Sequence, residues 1–397
     1  MRIGIVREEK IPADKRVAFT PEQCKSIKEQ FGVDLVVQSS KVRSFQDELY
    51  VQQGISVVDD ISNCDVLFGV KEVPVDLLIP GKTYFFFSHT IKKQVHNKKL
   101  MKALLEKNIT MVDYECLTNK AGERILGFGR YAGVVGTYNA MLAYGQRYKL
   151  YDLKPANKCV DRSELEKELK KVKLPPIKIV FTGGGRVAGG TLEILNTLGI
   201  RSVSPEEFLS LDFNEPVYTQ LHADHHYHRK DNGRFDMYEL MQHPERYRTV
   251  FVPYTKVADV FVSCHFWDPK AEKLFSREDM LAADFSLKVI ADITCDIDGS
   301  VPSTIRSSTI EDPLYGYDPI SGKETSAFQN SSVTVMAVDN LPCELPRDAS
   351  IDFGYALIKK VLPSLLGNDP DKIIERATIC KGGELAEKFQ YLKDYAS

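Results

Sequence analysis

Three residues carry the first chemical signal: Arg16 in DKRVAFTP, Lys71 in DVLFGVKEVP and His89 in TYFFFSH. Lys71 ends the apolar run of Val66, Leu67, Phe68 and Val70, and lysine is among the side chains least often buried without a partner. His89 follows a second apolar run, and Arg16 stands just before VAFTP. A lysine whose pKa is lowered by burial and cationic neighbours acts as an acid or base near neutral pH, where histidine as a residue type already titrates. Arginine grips a carboxylate with two parallel N–H bonds. The carboxyl ends of parallel strands share one edge, where ligands bind. Lys71 and His89 are therefore expected to face one site. A plainer reading stands beside this one: Lys71 and Glu72 form a solvated ion pair at a strand end.

A second signal is Gly183-x-Gly185-x-x-Ala188 in KIVFTGGGRVAGGTLEILNTLG, with Ile179, Val180 and Phe181 before it and a helix expected from Val187 to about Leu198. Gly183 allows the tight turn, Gly185 lets backbone approach a pyrophosphate, and Ala188 lets helix and strand pack closely. The helix start, from Arg186 and Val187, supplies N–H groups and a positive dipole end. Strand before and helix after is the context that makes this short motif informative. It points to dinucleotide binding, against a glycine-rich turn that packs something else. The next strand is expected at IRSVS, whose end carries Ser204, Pro205, Glu206 and Glu207. No acid there is clearly placed for an adenosine ribose, and the glutamates can equally start a helix. Arg229 and Lys230 are candidates for a 2′-phosphate, so NAD and NADP both remain open. His222, His225, His226 and His228 crowd seven residues; without further ligand spacing they read as a polar loop, and no metal is expected. DITCDIDGS brings Asp292 and Asp296 to another strand end, where Asp296 can bind a substrate ammonium or simply cap a turn.

The elements that hold these residues alternate. RIGIV, DLVVQ, DVLFGV, TYFFFSH and TMVDYE read as strands, and TPEQCKSIKEQFG reads as a helix with Thr20 as N-cap, Pro21 at N1 and Gly32 as its stop. Helices are also expected over SFQDELYVQQG, KKQVHNKKLMKALLEKN and, at greater length, residues 132–150. The expected fold is α/β: two Rossmann-like domains with parallel sheets, the N-terminal one completed by the C-terminal helices, and a cleft between them. The expected boundaries are 1–131 plus 342–397 for the substrate domain and 132–341 for the dinucleotide domain, with an insertion at about 205–253. A net charge of −3 leaves no footprint for nucleic acid or an anionic membrane. No apolar run approaches the ~20 residues of a membrane span, and MRIGIVREEK lacks a signal-peptide apolar region. Eight scattered cysteines without C-x-x-C suggest reduced thiols in a cytoplasmic protein.

The motifs EEKIPADKRVAFTP, FGVKEVP, FFFSHTIKKQ, MVDYECL, LGFGRYAGVVG, TGGGRVAGG and AVDNLPCELPRDAS together resemble the alanine dehydrogenase, transhydrogenase and saccharopine dehydrogenase superfamily. Within it the chain is most similar to lysine-forming saccharopine dehydrogenases, and above all to the lysine–2-oxoglutarate reductase portion of the bifunctional lysine-degrading enzyme. HHYHRKD, CHFWDP and STIEDPLYGYD look like features of that branch. The resemblance implies a reversible oxidoreductase acting on lysine, 2-oxoglutarate and saccharopine with NADP or NAD. Lys71 and His89 then match the catalytic pair, Arg16 the carboxylate-binding arginine, and Gln94 and Phe128 substrate-lining positions. Thr294, Cys295 and Asp296 match a substrate-contacting strand end. Gly185, Arg186, Val338, Asp339, Asn340 and Leu341 match cofactor-contacting positions, and Arg124 a basic position near the cofactor. The missing ribose acid favours NADP. The bifunctional enzyme's second half has no counterpart here, so if lysine degradation is the pathway, another protein is expected to carry the following step. No nucleic-acid or membrane partner is expected, and the chain is expected to be a monomer or small homo-oligomer. The competing readings are an alanine dehydrogenase-like or other opine-type enzyme, and a non-catalytic dinucleotide-binding regulatory module.

Overall fold

The apolar runs of the first third become strands β1 (Arg2–Ile5), β2 (Asp34–Gln38), β3 (Ser56–Val58), β4 (Val66–Lys71), β5 (Thr83–Phe87) and β6 (Thr110–Asp113). They pair in parallel, and β17 (Thr378–Lys381) and β18 (Glu384–Leu385) extend the sheet antiparallel in the order β18-β17-β6-β5-β4-β1-β2-β3. Helices cover these strands, which explains why β4 and β5 read as nearly continuous apolar runs rather than alternating ones. In the core, Phe68 stacks on Phe85 with ring centroids 4.5 Å apart; each such buried ring contributes about 1.5–3 kcal/mol relative to exposure.

This computed structural model describes residues 1–397, and the chain divides into two units, Met1–Phe128 with Pro346–Ser397, and Gly129–Leu345. In the first unit lie α1 (Pro21–Phe31), α2 (Asp47–Gln52) and α3 (Lys98–Glu106). Thr20 and Gln23 close a capping box on α1, and Gly32 ends it in the left-handed region, as the sequence pattern predicts. The helix Pro346–Lys360 completes this unit: the Ser350 hydroxyl accepts the Val17 N–H at 2.9 Å. Two expected helices are shorter than the pattern suggests. Residues 90–97 form 3₁₀ turns before α3, because the chain leaves β5 through positive-φ residues His89 and Lys93.

The second unit has β7 (Lys178–Thr182), β8 (Arg201–Ser202), β9 (Val217–Leu221), β12 (Val260–Ser263), β13 (Val289–Asp292), β14 (Leu314–Asp318), β15 (Lys323–Thr325) and β16 (Val333–Met336). Their order is β15-β14-β16-β13-β12-β7-β9-β8, parallel except for β14 and β15. The short strands β10 (Tyr227–Arg229) and β11 (Tyr247–Thr249) form a separate antiparallel pair. The helices used below are α4 (Gly129–Tyr148), α5 (Arg162–Leu169) and α6 (Arg186–Thr197). This order corrects the sequence reading at one point. IRSVS yields only the two-residue edge strand β8, and the neighbour of β7 is β9, from the middle of the expected insertion. Val217 and Leu221 are fully buried in the core with Phe208, Tyr247 and Phe251, so much of 205–253 belongs to the domain rather than being inserted into it. No helix is long and apolar enough to cross a membrane.

Candidate functional site

In the first unit the chemistry gathers where the parallel strands end. Past β1 the chain folds back so that the half-buried Glu8 accepts the Val70 N–H at 2.6 Å and the Lys71 N–H at 2.9 Å. The β4–β5 register shifts between Phe68 and Lys71, so these two amides need acceptors from outside the regular ladder. Glu8 supplies them and so holds the backbone from which Lys71, itself half-buried, projects. Burial, with Asp14 adding to it, pushes Glu8 up to about 8 against those two hydrogen bonds. Asp14 meets Arg16 as a fork, Nε to Oδ1 at 3.0 Å and Nη2 to Oδ2 at 2.6 Å, both side chains almost wholly buried. Burial favours its neutral form, but Arg16, and more weakly Lys71, bring Asp14 down to about 2. The Arg16 guanidinium lies 4.1 Å over the Phe128 ring, which stacks on Phe353 at 4.4 Å.

His89 follows β5 in the left-handed region, φ 54°. The turn before it is tied down, since Asp113 accepts both the Ser88 N–H, at 3.1 Å, and the Ser88 hydroxyl. Burial raises Asp113 to about 6. Glu115 then faces three bases: His89 Nδ1 at 3.7 Å, Lys92 at 3.5 Å and Arg124 at 3.8 Å. Against the cost of its burial, they draw Glu115 down to about 2. Glu72, just past the end of β4, pairs with Lys10 at 2.6 Å. Gln94 is exposed just before a 3₁₀ turn, its carbonyl accepting the Tyr395 hydroxyl at 2.5 Å. Pattern reading passed over Glu8, Asp14, Asp113 and Glu115. The rule that singled out Lys71 and His89, a charged residue just past an apolar run, finds Glu8 after RIGIV and Glu115 after TMVD.

In the second unit, Thr182, Leu221, Ser263 and Asp292 stand level across β7, β9, β12 and β13. The segments that follow the strand ends therefore share one edge: the glycine loop 183–185, residues 293–296, and, after β16, residues 337–341. Gly183 has φ 99°, and a Cβ there would lie 2.6 Å from the Cys264 carbonyl oxygen. Gly185 N-caps α6 without a side-chain hydrogen bond, with open space where its Cβ would be. Arg186 and Val187 open that helix, and Ala188 is buried beneath it. This is a cradle in which exposed backbone amides precede a twelve-residue helix, and it fits a pyrophosphate. Asp292 is spent on structure: it accepts the Ser263, Thr294 and Thr304 hydroxyls, the last two at 2.6 Å. Cys295 and Asn340 adopt positive φ, and Asp296 is exposed. Val338 and Leu341 are buried, and Asp339 is exposed between them.

Arg229 pairs with Asp231 at 2.6 Å and with Glu239, and Lys230 with Glu272 at 3.0 Å. Their charge is thus met by carboxylates around the β10–β11 pair. Glu207 closes a capping box with Ser204, so the glutamates there start a helix. Arg124, expected near the cofactor, pairs with Glu115 in the first unit. His265 carries no local signal; half-buried, it bridges Thr182 at 2.7 Å and Ser300 at 3.0 Å, and the desolvation of its ring lowers it to about 4.

Residues 4–135 match the family model "Alanine dehydrogenase/PNT, N-terminal domain". Among curated proteins, alpha-aminoadipic semialdehyde synthase of Arabidopsis thaliana is 30% identical over 98% of this chain and 41% of its own length. Saccharopine dehydrogenase [NAD(+), L-lysine-forming] of Emericella nidulans is 25% identical over 91% of this chain and 90% of its own. The chain spans less than half the length of the first curated relatives it matches. A solved L-alanine dehydrogenase superposes over the full length of both chains with a TM-score of 0.63 at 16% identity, a likeness of fold. The resemblance read from the motifs, and the fold of two Rossmann-like α/β units, are borne out.

Proposed function

We propose that this chain is an NAD(P)-dependent oxidoreductase that interconverts saccharopine with L-lysine and 2-oxoglutarate. The unit of residues 1–128 and 346–397 carries the acid–base chemistry, and the unit 129–345 holds the dinucleotide. The observation that carries the reading is the grouping of Glu8, Asp14, Arg16 and Lys71, with His89 and Glu115 beyond the neighbouring strands, in a chain whose second unit has a dinucleotide-type glycine loop. The names of the curated relatives supply the substrate class.

Joining free lysine to 2-oxoglutarate takes a proton from the amine, gives one to the departing hydroxyl, and sets the charge of the new secondary amine. Two groups able to gain and lose protons near the reacting carbon meet that need. Lys71 and His89 take those roles, Lys71 on a backbone held by Glu8 and His89 against Glu115. Arg16 binds a substrate carboxylate over the Phe128 ring, and Gln94 lines the same site. Thr294 and Asp296 are the substrate-contacting positions that the motif resemblance assigns within the second unit. A dinucleotide, when bound, supplies or accepts the hydride. Gly183, Gly185, Arg186, Val187 and Ala188 cradle its pyrophosphate, with Val338, Asp339, Asn340 and Leu341 on the same sheet edge. Arg124 acts through Glu115.

The test is oxidation of NADPH or NADH by the purified chain with amine and oxoacid panels. Turnover is expected only with lysine and 2-oxoglutarate together. Turnover with pyruvate and ammonia instead would transfer the chain to alanine dehydrogenase chemistry. Dinucleotide binding without turnover on any pair would make it a non-catalytic module.

A further inference from the structure

We propose that His222 and His225 read the 2′ position of the adenosine ribose and select a 2′-phosphorylated dinucleotide. This rests on the dinucleotide reading above and deepens it.

The strand order carries the argument. Next to the glycine-loop strand β7 stands β9, with Thr182 level with Leu221. The two strand ends are tied, Gly183 N–H to the Leu221 carbonyl at 2.8 Å and Gln220 Nε2 to the Gly183 carbonyl at 2.9 Å. His222, the next residue, is therefore level with the loop. Its ring lies against the loop: a Cβ on Gly184 would be 2.7 Å from His222 Nδ1. In a glycine-loop domain the end of this neighbouring strand faces the adenosine ribose, and a carboxylate there accepts hydrogen bonds from the ribose diol. Here the position holds an imidazole, which brings an N–H in any protonation state and no negative charge.

His225 adds a second donor. Its Nδ1 accepts the His222 backbone N–H at 3.1 Å, so the ring proton resides on Nε2, on the other side of the ring. The two ring centroids are 5.8 Å apart, a separation that one phosphate can bridge. A phosphate offers acceptor oxygens alone and is matched by donors, whereas the diol of an unphosphorylated ribose needs an acceptor. The only carboxylate between the two histidines is that of Asp224, which is exposed. It is the rival reader, as an acceptor for the diol. Arg229 and Lys230 are engaged by carboxylates and are not needed for selection.

The test uses nucleotides that carry no nicotinamide, so it does not depend on turnover. The full chain is titrated by calorimetry with 2′-phospho-ADP-ribose and with ADP-ribose. The wild type is expected to bind the phosphorylated form about 10–100-fold more tightly, the effect of one or two hydrogen bonds to a charged group. His222→Asp is expected to reverse the preference, and His225→Ala to reduce it, each with at most a small change in melting temperature because neither ring belongs to the core. A wild-type preference for ADP-ribose overturns the proposal. So does a ratio that moves with Asp224→Asn but not with the histidine variants. If the wild type binds neither nucleotide, the dinucleotide reading itself falls.

Discussion

Lys71 and His89 are held in different ways, and their variants separate the two. Lys71→Met and His89→Gln are each expected to lower kcat about 10²–10⁴-fold if they move protons; near-normal rates in steady-state assays would remove the assignment. Glu8→Gln probes the support beneath Lys71. Above about pH 8, where Glu8 is ionised, both of its oxygens accept an amide; a glutamine there turns an NH₂ toward one of them, leaving a buried donor unpaired at about 1–3 kcal/mol. Urea unfolding is expected to show that loss, and the pH profile of kcat is expected to shift with it. A stability loss without a pH shift would make Glu8 purely architectural. At Arg16 the informative change is lysine. Arg16→Gln would strand the buried Asp14 carboxylate, typically about 3–5 kcal/mol, and confuse folding with binding. Arg16→Lys keeps the charge but loses the fork, and is expected to raise KM for the oxoacid more than it lowers kcat.

At the scale of elements, α4 and α6 lie in backbone contact beside the glycine loop. A methyl at Gly133 would collide with the Val187 carbonyl, and one at Gly190 with the Arg130 carbonyl, obstacles of main chain that no rotamer change relieves. The same pair shares a hydrogen bond between Thr137 and Thr191 at 2.9 Å, and Arg130 and Arg162 converge on Glu193 from α4 and α5. Gly190→Ala is therefore expected to push α6 off α4. Stability should fall by about 1–3 kcal/mol or more, and ADP-ribose binding should weaken because the start of α6 moves with the loop. Calorimetry and thermal melting check both; unchanged affinity with lowered stability would show that the loop keeps its place independently of the helix contact.

For the whole molecule, buried carboxyl groups set the response to pH. Burial raises Glu8 and Glu344 from 4.5 to about 8 and Asp113 from 3.8 to about 6. Each keeps its proton in the folded state at a pH where the unfolded chain has released it. Their contribution is full below about pH 4 and is lost as pH rises toward 8. Asp14 and Glu115, brought down to about 2, act in the opposite sense: their contribution is full above about pH 4.5 and is lost as pH falls toward 2. Stability is expected to be greatest near about pH 5 and to decline on both sides. Glu344→Gln, which keeps an oxygen for the Asn139 amide now bonded at 2.9 Å, should flatten the alkaline side and leave the acid side unchanged. A melting temperature that climbs steadily from pH 5 to 8 would contradict this.

Local pattern was enough to read the alternation of elements, the Thr20 cap and Gly32 stop of α1, the glycine loop between strand and helix, and the strand-end places of Lys71 and His89. These features depend on residues a few positions apart. Folding alone supplied the contacts between distant segments. Glu8 reaches amides 62 and 63 residues away. Arg229 and Lys230, basic in sequence, are met by Asp231, Glu239 and Glu272. The strand beside the glycine loop is β9 rather than the earlier β8, because a strand takes the neighbour whose buried face completes the core, whatever lies next in the chain. Val217 and Leu221 bury fully, whereas Arg201 and Ser202 stay exposed at the edge. That choice of neighbour is what sets His222 against the glycine loop.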